Sequence, residues 1–183
     1  MGGLPRASWQ GLRGASHVLA PGVGARPELW YPCAMRAVVQ RVSRASVSVD
    51  TQVVGHIDAG LCALVGVAED DTDEDARALA HKLSRLRIFG DAEAKMNLDV
   101  TQVGGSLLAI SQFTLLGDVR RGHRPSFSQA MPPERANQLF ELFCQTARAK
   151  GLRVETGRFR ASMQVSLVNE GPVTILLDTK KLF

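Results

Sequence analysis

From residue 35 onward the hydrophobic pattern of the chain switches between two periods. Ala37–Val42 and Ala45–Val49 read as strands, the second setting Val47 and Val49 against Ser46 and Ser48, because side chains two apart share one face of an extended chain. Asp50-Thr51 predicts a turn into a short strand through Val53-Val54. Leu61–Val67 is continuously apolar at strand length, the pattern of a strand covered on both faces. The period then lengthens. Ala76, Leu79, Ala80, Leu83 and Leu86 make one stripe with charges opposite, which predicts a helix. Thr72 and Asp75 form its capping box, with Asp where Glu is usual. Leu86–Phe89 and Ser106–Leu116 read as strands. Pro133 suits the first turn of a second helix, whose stripe is Ala136, Leu139, Phe140, Phe143 and Ala147 and whose stop is Gly151. Three short strands follow at Leu152–Thr156, Met163–Val168 and Val173–Leu177. Strands, helix, strands, helix, strands is the order of an α/β protein, a single compact domain of mixed β-sheets with two main helices packed on them.

Residues 1–34 show neither period. They are rich in Gly, Pro, Ala and Arg, with Glu28 as the one acidic residue. One reading is an organelle-targeting peptide, which such a composition suits. The favoured one is an extension lying upstream of a start at Met35, outside the fold, with residues 35–183 as the folded domain. Arg6 stands where a myristoylation motif needs Ser or Thr.

Composition narrows the chemistry. The apolar and charged fractions, 45% and 22%, are those of an ordinary globular protein, and no run approaches the length of a membrane span. A net charge of +4 permits a nucleic-acid partner without requiring one. Cys33, Cys62 and Cys144 are odd in number, widely spaced and without a CxxC pair, so neither a disulfide framework nor a zinc site is expected. Buried thiols fit a reducing compartment, and a cytoplasmic location is expected. His17, His56, His81 and His123 are scattered. The chain has no nucleophile elbow, zinc-protease motif, phosphate loop or dinucleotide fingerprint, so no metal or cofactor is expected.

Three stretches remain unusual. Leu108, Ile110, Gln112 and Thr114 fall on one face of a strand that turns polar at its end, either where the strand meets solvent or where it borders a cleft. Asn169-Glu170-Gly171-Pro172 lies between two strands. It reads as a tight turn, or as a Gly-Pro bond held cis, which a tertiary amide adopts at small cost and which would present its neighbouring carbonyls rigidly. Arg120-Arg121-Gly122-His123-Arg124-Pro125 is a compact basic loop, either plain solvated surface or a phosphate contact made through guanidinium forks.

Six short motifs carry a resemblance. Met35-Arg-Ala-Val-Val-Gln-Arg-Val-Ser-Arg-Ala-Ser, Lys95-Met-Asn-Leu, Ser111-Gln-Phe-Thr-Leu, Arg124-Pro-Ser-Phe, Met163-Gln-Val-Ser-Leu and Asn169-Glu-Gly-Pro-Val-Thr occur in this order. Together they resemble the D-aminoacyl-tRNA deacylase family over nearly the whole chain from Met35. Gly90 and Ala94 depart from it, since the family usually has an acidic residue and then a glycine there. The resemblance implies a homodimer with two sites at the subunit interface. It implies a hydrolase that proofreads tRNA, releasing D-amino acids and, by the same logic, glycine. Gly171-Pro172 of one subunit would enter the partner's site and exclude L-amino acids by clash, braced by Arg41. Ser111, Gln112, Phe113, Thr114 and Met163 would line the pocket, with backbone N–H groups near Phe113 and Thr114 holding the developing oxyanion. Thr114 and Gln112 are the catalytic candidates; Thr114 has the position proposed for a nucleophile, yet no base adjoins it in sequence. Arg120, Arg121 and Arg124 would meet tRNA phosphates. Two rival classes predict other features. A non-catalytic RNA-binding module needs the basic loop but not both site motifs, and a general esterase needs an activated Ser or Cys.

Overall fold

β1 (Arg36–Val49) is the spine around which the sheet is built. In the computed structural model, which describes residues 34–180, it is one 14-residue strand where the hydrophobic pattern breaks at Ser43-Arg44. A bulge accounts for the break. Val42 pairs with Asn169 and Arg44 with Val168, leaving Ser43 as the extra residue. The bulge shifts the side-chain alternation by one, so Val42 and Ala45 both enter the same core cluster despite their odd spacing.

One edge of β1 pairs antiparallel along most of its length with β8 (Gln164–Asp178). The other edge is shared. β2 (Gln52–Ile57) covers Ala45–Val49, and β3 (Gly60–Gly66) covers Arg36–Val42. β6 (Ser106–Ser111) lies parallel to β3, and β7 (Arg153–Thr156) parallel to β6. The order is β2-β1-β3-β6-β7, with β8 on β1. At the start of β3 a Cβ on Gly60 would stand 2.0 Å from the Ser106 carbonyl oxygen, so only glycine lets these strands approach.

Parallel pairs need long crossovers. The first holds α1 (Asp73–Ser84) and the small hairpin of β4 (Phe89–Gly90) with β5 (Met96–Leu98). The second holds α2 (Pro133–Ala149). The predicted capping box of α1 is present in both directions, Thr72 to the Asp75 N–H and Asp75 to the Thr72 N–H. Both helices pack on one face of the sheet. Leu79, Leu83, Leu139 and Phe143 bury there against Val39, Leu61, Ala63 and Leu107. The opposite face closes on a second cluster of Val42, Val47, Cys62, Leu108 and Ile110, walled by Val165 and Leu167 of β8. Three further expectations are corrected. Of the strand expected at Leu86–Phe89 only Phe89 lies in a strand, β4. The strand from Ser106 stops at Ser111 and continues as a 3-10 turn over Phe113–Leu116, and the two strands expected at the C-terminal end are one strand, β8. Ala34, the last residue assigned to the extension, is buried, and the rest of that segment lies outside the described residues.

Candidate active site

The end of β6 is where the sheet gives way to a pocket. The Gln112 N–H makes a last bond to the Val65 carbonyl at 2.7 Å, and the chain then tightens into the 3-10 turn. Local packing forces the turn. Leu116 is buried, and a Cβ on Gly66 would lie 2.6 Å from Leu116 Cδ2, so the turn fits only against a glycine. Arg36 donates from Nη1 to the Leu115 carbonyl at 3.3 Å and holds the turn from below. The first turn of such a helix leaves its leading N–H groups, those of Phe113 and Thr114, without intrahelical acceptors. Gln112 Nε2 donates to Thr114 Oγ1.

Beside this turn opens a cleft of about 510 Å³. Ser111, Gln112, Phe113 and Met163 line it; Thr114, expected to line it too, stands just outside, joined through Gln112. Val67, Ile110, Met131 and Val165 make the lining mainly apolar. A Cβ on Gly157 would sit 2.4 Å from Met163 Sδ, so this glycine lets Met163 reach its place. Phe159, Arg160 and Ala161 complete one wall and were missed from sequence, since the loop that carries them has no period; Arg160 lies in the left-handed region at φ 61°. Among the described residues, no His, Cys, Asp or Glu lines the cleft. Burial pushes the Cys62 thiol up to about 11 and the Cys144 thiol to about 12, which leaves both protonated and unreactive at neutral pH.

The second cluster is built where β1 meets β8. Gln40 pairs with Thr174 and Val42 with Asn169, so Arg41 alone faces Glu170, Gly171, Pro172 and Val173. The segment read as a turn is therefore a wide bulge within one strand. The Gly171-Pro172 bond is cis, and both residues are exposed. Asn169 holds the base of the bulge, accepting from the Val173 N–H at 2.9 Å and donating to Thr174 Oγ1 at 3.0 Å. Arg41 braces its tip. Nε donates to the Glu170 carbonyl at 3.2 Å, and Nη1 to the Ile88 carbonyl at 2.5 Å.

Within one chain these two clusters do not meet. Arg41 pairs across to Leu61, whereas Ser111 pairs across to Val65, the neighbour of Ala37. They are offset by about 13 Å along the strands and about 10 Å across the sheet, four residues and two strand spacings. The basic loop lies past the 3-10 turn. Arg120 forks onto Asp118, with Nε and Nη2 at 2.9 and 2.7 Å from its two oxygens, and this holds the Asp118 carboxyl down at about 2. Arg121 and Arg124 are exposed on the same loop.

Fold and site define a small mixed α/β domain whose cleft offers backbone N–H groups, an amide and hydroxyls at a strand end, with no acid–base pair among its lining residues. The family profile described as D-Tyr-tRNA(Tyr) deacylase matches residues 38–178. A D-aminoacyl-tRNA deacylase of Anaeromyxobacter dehalogenans (strain 2CP-C) is 65% identical over 149 residues, 81% of this chain and all of that protein. Among solved structures, a c-Myc DNA unwinding element binding protein superposes with a TM-score of 0.75 at 39% identity, covering 79% of this chain and 99% of that one. A probable eukaryotic D-amino acid tRNA deacylase superposes at 0.70 with 20% identity, covering 80% of this chain and 100% of that one, a likeness of fold. The chain belongs to the D-aminoacyl-tRNA deacylase family of hydrolases.

Proposed function

We propose that this protein hydrolyses the ester that links a D-amino acid to the terminal ribose of tRNA. Water is consumed, and free tRNA and the D-amino acid leave. The observation that carries this reading is the turn at Phe113–Leu116, whose leading N–H groups stand at the edge of an apolar cleft. As the ester carbonyl becomes tetrahedral its oxygen gains negative charge, and fixed donors beside that position lower the barrier. Ser111 and Gln112 orient the amino acid, and Phe113 and Met163 give it an apolar wall. Thr114, just outside the cleft, is not a nucleophile in this scheme. Its hydroxyl oxygen already accepts from Gln112 Nε2, and among the described residues no His, Asp or Glu lines the cleft to take its proton. The proton of the attacking water is relayed through the substrate's own 2′-hydroxyl on the terminal adenosine, which accepts it as its own proton passes to the departing 3′-oxygen. No cofactor enters the scheme.

Selectivity comes from Gly171-Pro172. The element is exposed, braced by Arg41, and too far from its own cleft to act there. In a homodimer it would enter the partner's cleft and place carbonyls where an L side chain must go. D-residues of any side chain are then accepted, and glycine, having none, passes the same filter. Arg120, Arg121 and Arg124 supply contacts to tRNA phosphates, and the reaction belongs in the cytoplasm. Incubation with D-Tyr-tRNA and L-Tyr-tRNA tests the reading. Amino acid is expected to be released from the D form alone, and equal release from both would remove the proposed filter.

A further inference from the structure

A second groove opens beside the cleft, about 330 Å³ in volume, between α2 and the end of β7. The two adjoin at Phe159, which lines both. Their linings differ sharply. The cleft is apolar, whereas the groove presents Asn137, Glu141, Gln145 and Arg148 from one face of α2, with Phe140 and Phe159 beside them. Those four positions are spaced by four, four and three, so one helix face carries them. Asn137 Nδ2 donates to Glu141 Oε1 at 2.9 Å, which fixes the amide with its carbonyl oxygen free. Arg148 is tied by one Nη2 bond of 3.0 Å to the Val154 carbonyl.

We infer that this groove takes the base of the nucleotide preceding the terminal adenosine, a cytidine in tRNA, and reads its pairing edge. The inference rests on the deacylase reading above. Adjacency, charge and hydrogen-bonding pattern point to it. A tRNA whose terminal adenosine carries its ester into the cleft must lead its preceding nucleotide away from it, and the groove adjoins the cleft at Phe159. Glu141 and Arg148 together leave the lining without net charge, which suits a base better than a phosphate. Cytosine presents an amino donor beside two acceptors. Glu141 and the Asn137 carbonyl oxygen would accept from the amino group, and Gln145 and Arg148 would donate to the acceptors, a pairing of carboxylate with cytosine amino group that nucleic-acid readers use. Aromatic rings at a single-stranded site add a stacking surface, and Phe159 is placed to offer one.

The test separates groove from cleft by substrate. For D-Tyr-tRNA, Glu141→Gln is expected to raise KM about three- to tenfold, the scale of one or two hydrogen bonds, with kcat held. The effect should be confined to substrates that carry the cytidine, so D-tyrosyl-adenosine should not report it. Wild-type protein should also prefer D-Tyr-tRNA ending in cytidine-adenosine over the same tRNA with uridine in the penultimate place, and the variant should narrow that preference. An unchanged KM, an equal loss on both substrates, or no preference for cytidine would overturn the inference. Titration with cytidylyl-adenosine, uridylyl-adenosine and adenosine reads the groove without turnover. Were wild-type protein to leave D-Tyr-tRNA intact, the deacylase reading would fall, while tighter binding of cytidylyl-adenosine would still report the groove.

Discussion

Thr114 is the residue immediately beyond the last strand-end side chain that lines the cleft, and its environment decides between two chemistries. A nucleophilic hydroxyl needs a base to remove its proton, and Thr114 Oγ1 has instead a donor, Gln112 Nε2. Thr114→Ala is therefore expected to lower kcat by less than about tenfold in single-turnover deacylation of D-Tyr-tRNA. A loss of about a thousandfold, the scale of removing a covalent nucleophile, would restore that role. Gly171 is constrained in the opposite sense. At φ 123° it occupies backbone space that L-residues rarely enter, and a Cβ would lie 2.8 Å from Val173 Cγ2 and 2.9 Å from Arg41 Nη2. A methyl group there displaces either the bulge or the guanidinium that braces it. Gly171→Ala is expected to narrow the D-to-L ratio of kcat/KM by tenfold or more, and an unchanged ratio would show that the element does not filter chirality.

The turn between β4 and β5 bears on stability. Asp91 organises it, accepting from the N–H groups of Glu93 and Lys95 at 2.9 and 3.0 Å and from Asn97 Nδ2 at 2.6 Å. Ala94 sits there at φ 59°, a left-handed conformation that disfavours any Cβ. It is also the position where the family resemblance leads one to expect glycine. Ala94→Gly should stabilise the protein by about 0.5–1 kcal/mol, the penalty relieved less the added chain entropy, seen as a rise in Tm. The junction before α1 predicts a pH dependence. Burial raises the Asp71 carboxyl from 3.8 to about 6, against the opposing bond from the Ala68 N–H at 2.6 Å. The folded state thus binds this proton more tightly than the unfolded chain. The contribution to stability is full below about pH 4 and is lost as pH rises to 6. Asp71→Asn should remove that fall, and urea midpoints at pH 4 and 7 check it. Elements with strong periods were legible in sequence, among them α1 with its cap and α2 with its stripe. Three features were not. The bend of β1 hides in a bulge at Ser43, the 3-10 turn is imposed by packing on Gly66, and the bulge in β8 looks like a turn because its residues are turn residues. The cleft wall at Phe159–Ala161 depends on contacts between distant segments, which no local pattern records.

At the scale of the whole molecule, the separation of the two clusters becomes the argument. β1 and β6 hold Arg41 and Ser111 at opposite reaches of the sheet, about 13 Å along and about 10 Å across, and the strand register through β3 leaves no freedom to close that gap. An exposed, braced element that cannot reach its own cleft is explained if it serves another copy. Exposed Val168 and Leu176 flank it along β8, giving that strand apolar surface to bury. The active species is then expected to be a dimer, with mass twice that of the chain by analytical ultracentrifugation and with specific activity that falls on dilution. Hybrid dimers provide the sharper check. One subunit carrying Gln112→Ala, to weaken the cleft, and the other carrying Gly171→Ala, to weaken the filter, would form one site with both parts intact and one with both altered. Each parent homodimer has the same defect in both of its sites. Mixing and re-equilibrating the parents should therefore recover D-selective deacylation above either parent alone. If activity shows no such complementation, or if a monomeric form is fully active, the filter must lie within a single chain, and the role proposed for Gly171-Pro172 is wrong.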